Sequence, residues 1–424
     1  MKIFDHLLVK ILCIGFLGLL MLIPLTMIQS QIRDRETAMQ TSVEEVSASW
    51  AGSQILSGPR ISTTESSIVR DENGKAEIVD NTAPLYPDHL ACKVQLDTKD
   101  LHRSIYDIKV YNATVRIEGD FPVTEALRKA QKAEIEFAMP DLRGIEGDAQ
   151  IELGGKTYRF AASDKTLPQP RPELKYDSDL ATGKILSQRI PVDSLLSGGE
   201  TIPFRMTLQI KGTESLFIQP VGHVTDVEMT SNCTTPSFMG DFLPSDRNVT
   251  DTGFTARWSV SEINRGAPES SRLGVKLLPP VTQYQQVNRS LKYGILVILL
   301  VFLAGLLVEL VTRKKINLIQ YLVIGLSLVL FYALLLAFSE FLSFGLSYLI
   351  AAGMTVLALT GYYFGIFRQK LAWVLAATVA LAYLLNYVLL QMENFALLTG
   401  TLVLFLLLCG VMFLTKDLGK AGEN

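Results

Sequence analysis

Three carboxylates in this chain of 424 residues sit at the ends of long apolar stretches: Glu309, Glu340 and Glu393. An ionisable group inside or at the edge of a bilayer is costly, and where it faces a cavity between helices it marks an ion path or a proton relay. A plainer chemistry competes at each position. Glu309 precedes Arg313 by four residues, which puts both on one helix face as an interfacial ion pair whose charged heads reach water. Glu340 and Glu393 fall in short connections between apolar runs, where a solvated acid needs no function. All three are candidate functional carboxylates, with ion coupling and simple solvation as the two readings.

Other reactive groupings are sparse. The histidines His6, His89, His102 and His223 are scattered, and no H-E-x-x-H pattern occurs. The nearest cluster, Asp88-His89 with Cys92 and His102, falls short of the four placed ligands that structural zinc needs. There is no G-x-S-x-G elbow and no phosphate-cradling loop. Asp141-Leu-Arg-Gly-Ile145 reads as a structural corner, and Trp50 and Trp258 read as core or interface aromatics. No catalytic residue, cofactor or metal is assigned, and nothing identifies an enzyme. Cys13 and Cys409 lie in apolar runs, where a thiol acts as a small apolar group. Cys92 and Cys233 lie in the long polar block, where an oxidising compartment would let them form a disulfide. Two separate buried thiols are the alternative, and spacing does not decide between them.

The elements that must position these groups are mostly apolar helices. One apolar segment, Leu7–Ile28, is followed by a polar block of roughly 260 residues, enough for one or two domains. Five more segments follow: Tyr293–Thr312, Leu318–Phe338, Leu342–Phe367, Leu371–Leu390 and Phe395–Leu414. Each is about the 20 residues a membrane-crossing helix requires. The pattern predicts an α+β membrane protein with six transmembrane helices, one N-terminal and five C-terminal, and a large, mainly antiparallel β domain in the periplasm. Residues 1–30 hold the N-terminus and first span, 31–292 the domain with helical extensions at both ends, 293–415 the five-helix bundle and 416–424 a tail. The first segment is expected to stay uncleaved, because its apolar run is about twice a signal-peptide core and no small-x-small site precedes Gln31.

Lys and Arg in short loops set orientation. Lys2, Lys10, Arg313, Lys314, Lys315, Arg368, Lys370, Lys416 and Lys420 all fall on one face, whereas Ser339–Ser343 and Gln391–Asn394 carry only acids. Both termini are therefore expected in the cytoplasm and Gln31–Lys292 outside. The formal net charge is −3 and no basic stripe appears, which argues against nucleic acid as a partner and leaves membrane lipid. The oligomeric state is not encoded in any pattern found.

Within the block, Met39, Val43, Val46 and Trp50 share one helical face, so the first span is expected to continue outward and stop at Gly52. Tyr284, Val287 and Leu291 repeat that spacing before the second span. The two extensions either pack together or stand as independent surface helices. Between them the period changes to two: Ile108, Val110, Val115 and Ile117; Ile135 and Phe137; Phe204, Met206, Leu208 and Ile210; Phe254, Ala256 and Trp258. Ile151, Leu153, Tyr158 and Phe160 predict a hairpin turning at Gly154-Gly155. Alternating strands with Gly, Pro, Asn and Asp breaks predict an antiparallel sandwich, or two stacked ones. Ser163–Asp179, rich in Pro and charge, reads as a surface loop.

Leu273-Gly-Val275, Pro280-Val281, Tyr284-Gln285, Arg289 and Lys292-Tyr-Gly294 resemble the junction signature of the CreD family of bacterial inner-membrane proteins. Gly253-Phe-Thr-Ala-Arg-Trp258 with Ser261, Arg265 and Pro268 is similar to another stretch of that family. So are Ser49-Trp50, Gln54, Gly58-Pro59, Asp141-Leu-Arg-Gly-Ile145 and Leu390-Gln-Met-Glu393. Thr282 departs from the family's Pro-Val-Asp-x-Tyr-Gln run, which has Asp there. The resemblance implies a Gram-negative inner-membrane protein tied to cell-envelope integrity, whose genes typically answer to a CreB/CreC-type two-component system; it implies no reaction. The function expected is non-enzymatic binding of an envelope protein or cell-wall component by the β domain. The alternative is an ion-coupled transporter using the membrane-edge carboxylates.

Overall fold

The computed structural model describes residues 2–70, 76–103, 106–168, 182–197, 199–268, 270–277, 283–312, 315–366 and 369–391, with positions 401, 405 and 412. The N-terminal helices α1 (Lys2–Leu20) and α2 (Leu22–Trp50) meet at Met21. Pro24 explains the break, since its ring removes the N–H that would bond to Leu20. Hydrogen bonds from Met21 N–H to Leu17 and from Leu25 N–H to Met21 carry the helix through. Met21, Leu25, Ile28 and Ile32 form its buried stripe. Leu12, Phe16, Leu19, Ile23 and Met27 point outward, as apolar side chains do when lipid is the solvent.

Two compact units divide the chain, Met39–Pro280 and Met1–Ala38 with Val281–Asn424. The first is a β sandwich. Its strands are β1 (Gln54–Arg70), β2 (Ala76–Leu85), β3 (His89–Arg103), β4 (Tyr106–Pro122), β5 (Lys132–Met139), β6 (Ile145–Glu146), β7 (Gln150–Leu153), β8 (Lys156–Arg159), β9 (Ala161–Pro168), β10 (Thr182–Ile190), β11 (Thr201–Thr213), β12 (Ser215–Ile218), β13 (Val224–Ser231), β14 (Pro236–Gly240), β15 (Asp246–Thr250), β16 (Gly253–Ser261) and β17 (Leu273–Leu277). Short helices α3 (Glu125–Lys129), α4 (Val192–Leu196) and α5 (Glu262–Arg265) interrupt them. One sheet has the order β14-β17-β12-β1-β5-β10-β9 with β2 also on β1; the other has β15-β16-β13-β3-β4-β11-β7-β8 with β6 on β11.

Most of these pairs are antiparallel, but β1 with β12 and β3 with β13 run parallel, so the sheets are mixed. Sequence periodicity is blind to strand direction, which is why these pairs were not foreseen. The chain changes sheet at Glu214, a non-glycine residue at φ 60°, where β11 ends and β12 begins. The predicted hairpin is present, with Leu153 opposite Lys156 and both Gly154 (φ 57°) and Gly155 (φ 78°) left-handed, as a two-residue hairpin turn demands. Part of the expected 163–179 loop is strand β9, paired with β10; residues 169–181 lie outside the described residues. Ile61, Ile135, Phe137, Leu186, Leu216 and Val275 of one sheet and Leu90, Val94, Val115, Ile117, Met206 and Trp258 of the other form one contiguous core. It is one sandwich, not two, and each such side chain contributes about 1.5–3 kcal/mol by leaving water.

The second unit adds α6 (Gln283–Lys292), α7 (Gly294–Thr312), α8 (Leu318–Ser339), α9 (Phe344–Ile366) and α10 (Gln369–Gln391). Val9–Trp50, Leu318–Ser339, Phe344–Ile366 and Leu371–Leu390 are long and apolar enough to cross a membrane, and α6 with α7, bent by 42°, makes a fifth. The sixth expected span, Phe395–Leu414, falls almost wholly outside the described residues. The α6 face of Tyr284, Val287, Ser290 and Leu291 is buried against the helices of the bundle. That packing places the boundary between units at Pro280, twelve residues before the end of the expected 31–292 block.

Candidate functional site

Two of the three carboxylates are described, and each is held by a cation of the N-terminal helix. Lys10 of α1 pairs with Glu309 of α7 and also donates to the Ile316 carbonyl at 2.7 Å. Arg35 of α2 lies 3.1 Å from Glu340, at the C-terminal end of α8. Gln283 of α6, its amide turned to donate, reaches the Ser339 carbonyl and, at 2.9 Å, that of Leu342. The Glu309 and Glu340 side chains are only 11% and 14% exposed, so neither is a freely solvated loop acid. The Arg313 expected beside Glu309 lies outside the described residues, as do Glu393 and Thr282.

Lys10 and Arg35 stand about 37 Å apart along the helix at 1.5 Å per residue. That span lies between the ~30 Å hydrocarbon core and the ~40–45 Å full thickness of a bilayer. The two ion pairs therefore fasten opposite ends of one membrane-crossing helix to its bundle. Sequence reasoning used Lys10 only as an orientation signal and did not single out Arg35. The available signal was Lys10 and the Arg33/Arg35 pair at the two edges of the first span, with single acids at the edges of later ones.

The middle of the bundle carries a second feature that the sequence reading missed. Tyr321, Tyr332, Tyr348, Tyr363 and Tyr383 are almost fully buried. The Phe331 ring packs 4.8, 5.2 and 4.2 Å from those of Tyr332, Tyr348 and Tyr383. Tyr348 Oη donates to the Tyr383 carbonyl at 2.8 Å, and Asn386 Nδ2 donates to Ser290 Oγ at 3.1 Å. These bonds join α6, α9 and α10 by polar contacts of the kind that associate helices in lipid. Polar residues repeating on one stripe of an apolar helix were the signal for them.

In the sandwich, the Asp141-Leu-Arg-Gly-Ile145 corner is a 3₁₀ turn, Leu142–Gly144, capped by Asp141. Asp141 accepts from the N–H of Gly52 at 3.3 Å and of Arg143 at 3.1 Å, and from Arg143 Nε and Nη2 at 2.9 and 2.7 Å. Partial burial pushes its pKa up, but the Arg143 side chain and the two N–H donors outweigh that and hold it below the usual value. Arg143 also donates to the Ala48 carbonyl at 2.6 Å, placing a cation at the C-terminus of α2 where the helix dipole favours one. Gln54 Nε2 donates to the Asp141 carbonyl at 3.1 Å, and Lys211 lies 5.2 Å from the Trp50 ring. A Cβ on Gly144 would come within 2.6 Å of the Lys211 carbonyl oxygen, so only glycine fits there. This corner ties the end of a helix to the sandwich. Trp258 is core, its Nε1 donating to the Phe242 carbonyl at 3.2 Å.

The Cys92–Cys233 disulfide is not formed; both are free, buried thiols. Val227 of β13 stands opposite Cys92, whereas Cys233 lies six residues further along that chain, about 20 Å at strand rise. Disulfide geometry needs Cα atoms within about 7 Å. The loose cluster of Asp88, His89, Cys92 and His102 is dispersed too, since His89 faces out of β3 and Cys92 faces in. His102 pairs with Asp107 at 2.8 Å. Elsewhere an exposed His223 sits between Asp88 at 2.6 Å and Glu262 at 3.0 Å. Among the described residues no group of three His, Cys, Asp or Glu is placed to hold a metal.

One open cleft of about 360 Å³ lies on the sandwich, lined by Gln95, Asp97, Thr230, Asn232, Asn248 and Thr255 among others, with Leu96 and Phe254 beneath. Its walls are amides and hydroxyls, with one carboxylate and no Lys or Arg.

A multi-pass helical membrane protein with a β sandwich inserted after its first span is the class these features define. The sequence pattern of the family described as Inner membrane protein CreD matches residues 6–419. The Inner membrane protein CreD of Escherichia coli (strain K12) is 30% identical over 421 residues, covering 94% of this chain and 90% of that protein. The chain belongs to the CreD family of inner-membrane proteins. Among solved structures, an M1 zinc metallopeptidase from Deinococcus radiodurans superposes with TM-score 0.21 at 8% identity, over 48% of this chain and 52% of the peptidase. A mutant M1 zinc metallopeptidase from the same organism, bound to a Tyr-ser-ala substrate, gives TM-score 0.20 at 10% identity, over 45% and 42%. Those segments span about half or less of the peptidase chains, and scores this low carry no inference about fold or activity.

Proposed function

We propose that this protein supports cell-envelope integrity by binding, without catalysis, an envelope protein or cell-wall component through a sandwich domain held in the periplasm, with both termini in the cytoplasm. The observation that carries the reading is the engagement of the carboxylates. A transporter needs an acid that exchanges its partner for an ion, whereas Glu309 and Glu340 are each bound to a cation that fastens the N-terminal helix. The loop charges support the orientation, because the short basic connections share one face. The large sandwich with its open polar cleft supplies a surface for binding.

The test is complementation of a strain lacking the protein. Glu309→Gln and Glu340→Gln, at normal protein levels, are expected to restore the envelope phenotype, while a chain lacking the sandwich is not. Either Glu→Gln variant behaving like the full deletion would overturn the reading in favour of ion-coupled transport. Orientation is tested with a single cysteine at Ser163, expected to react with an impermeant maleimide in cells whose inner membrane is intact. Reaction only after that membrane is opened would place the domain in the cytoplasm.

A further inference from the structure

The outer face of the β15-β16-β13-β3-β4-β11 sheet carries an uninterrupted row of uncharged polar side chains, and the cleft opens on one end of it. Register places Asn248 opposite Thr255, Thr255 opposite Thr230, Thr230 opposite Gln95, Gln95 opposite Thr114, and Thr114 opposite Gln209. Because directly opposed residues share a face, the six form one line across the strands. Five strand spacings make it about 24 Å long.

Its neighbours are different. Two residues along the strands the corresponding row reads Asp246, Arg257, Glu228, Lys93 and Arg116. There Arg257 lies 3.0 Å from Glu228 and 3.9 Å from Asp246. Charge lies in this partly compensated row and, on the other side of the line, at Asp97 and Lys211, while the row between them is uncharged. Of its cleft members, Thr230 Oγ1 is turned to the Val94 carbonyl at 3.3 Å. The side chains of Gln95, Thr255 and Asn248 make no hydrogen bond to another described residue.

We propose that this row binds a linear glycan, an uncharged, extended chain of sugars bearing hydroxyl and N-acetyl groups, lying across the strands. The proposal rests on the reading that the sandwich acts by binding. Amides and hydroxyls offer donors and acceptors together, which matches a ligand whose surface is hydroxyl and amide throughout. Phosphate and nucleotide ligands are disfavoured, because no Lys or Arg lines the cleft and Asp97 would repel an anion. Peptide side chains would find no apolar pocket, since Leu96 and Phe254 are 0% and 4% exposed. A rigid chain also loses little conformational freedom on binding.

The test uses the full chain in lipid nanodiscs and a linear β-1,4 tetramer of N-acetylglucosamine, followed by titration calorimetry. Binding is expected, and the double variant Gln95→Ala/Asn248→Ala should weaken it about tenfold or more, as loss of two amide contacts implies. Lys93→Ala, in the charged row, should leave it unchanged. The proposal is overturned if the tetramer does not bind, if the double variant binds it equally, or if an extended Ser/Thr peptide binds and the tetramer does not. Cosedimentation with purified cell-wall sacculi separates the two levels. Sedimentation that the double variant retains in full overturns the glycan row while leaving the binding function standing, which only the complementation experiment can remove.

Discussion

Asp141→Ala should destabilise the sandwich by about 2–3 kcal/mol, and the structure apportions the loss. The carboxylate caps the 3₁₀ turn through the Arg143 N–H, a contact worth about 1 kcal/mol when a cap is removed. It also satisfies the half-buried N–H of Gly52 at 3.3 Å, and stranding that donor costs about another 1 kcal/mol. The ion pair with Arg143, whose side chain is 64% exposed, adds under about 1 kcal/mol. The assay is urea unfolding of residues 39–280 followed by near-UV circular dichroism, with the midpoint shift multiplied by the slope. Arg143→Ala keeps both bonds from backbone N–H groups to Asp141 and loses the exposed ion pair and the bond to the Ala48 carbonyl, so it should cost less. Equal losses for the two variants would refute the argument, since the Arg143 side chain would then carry as much as is assigned here to the backbone donors. The pH dependence has a fixed sign. The Asp141 pKa is lowered in the folded state from its ordinary 3.8. Its contribution is therefore complete above that value and is lost as pH falls through the lower folded pKa. The stability gap between wild type and Asp141→Asn should be flat from pH 7 to about 5 and close only in strong acid.

Reversing the Arg35–Glu340 ion pair offers a second check: Arg35→Glu and Glu340→Arg should each lower the thermal midpoint in nanodiscs, and the double swap should recover most of the loss; no recovery would mean that the pair is incidental. Residues 39–280, expressed alone, should give a strand-dominated far-UV spectrum, and a helix-dominated one would show that the sandwich needs its spans. The buried Cys92 thiol, pushed up to about 12 by loss of hydration, should resist maleimide until urea unfolds the protein, and mass spectrometry without reductant should find no Cys92–Cys233 peptide. Gly144→Ala should cost about 1–3 kcal/mol through backbone overlap with Lys211, unlike Gly52→Ala, whose Cβ meets nothing within 4 Å and whose φ is not left-handed.

The apolar segments and alternating strands were legible because burial in lipid and burial against a sheet each impose a period on neighbouring residues. Phe204, Met206, Leu208 and Ile210 lie on one inward face of β11, as their alternation required. What escaped was pairing at long range. Nothing local to Lys10 or Arg35 names Glu309 or Glu340 as its partner, some three hundred residues on. Likewise, the parallel neighbours β1 with β12 and β3 with β13 depend on how the chain crosses between sheets. The uncharged row on the sandwich was hidden for the same reason, since its six residues come from six strands and align only once register is set. The corner at Asp141 was recognised as structural, yet its role in holding the end of α2 follows only from seeing Arg143 beside the Ala48 carbonyl.

The two ion pairs of the N-terminal helix also set a clock for biogenesis. Lys10 and Glu309 are 299 residues apart in sequence, and chains are synthesised at about 5–20 residues per second. The helix that enters the membrane first must therefore wait about 15–60 s before its counter-charges are made. During that interval the whole sandwich is synthesised, while Lys10 and Arg35 rely on lipid headgroups and water at the bilayer's two surfaces. A ribosome that stalls within the sandwich leaves an anchor with both cations unpaired, and such a chain differs from the finished protein at two defined points where quality control could tell them apart.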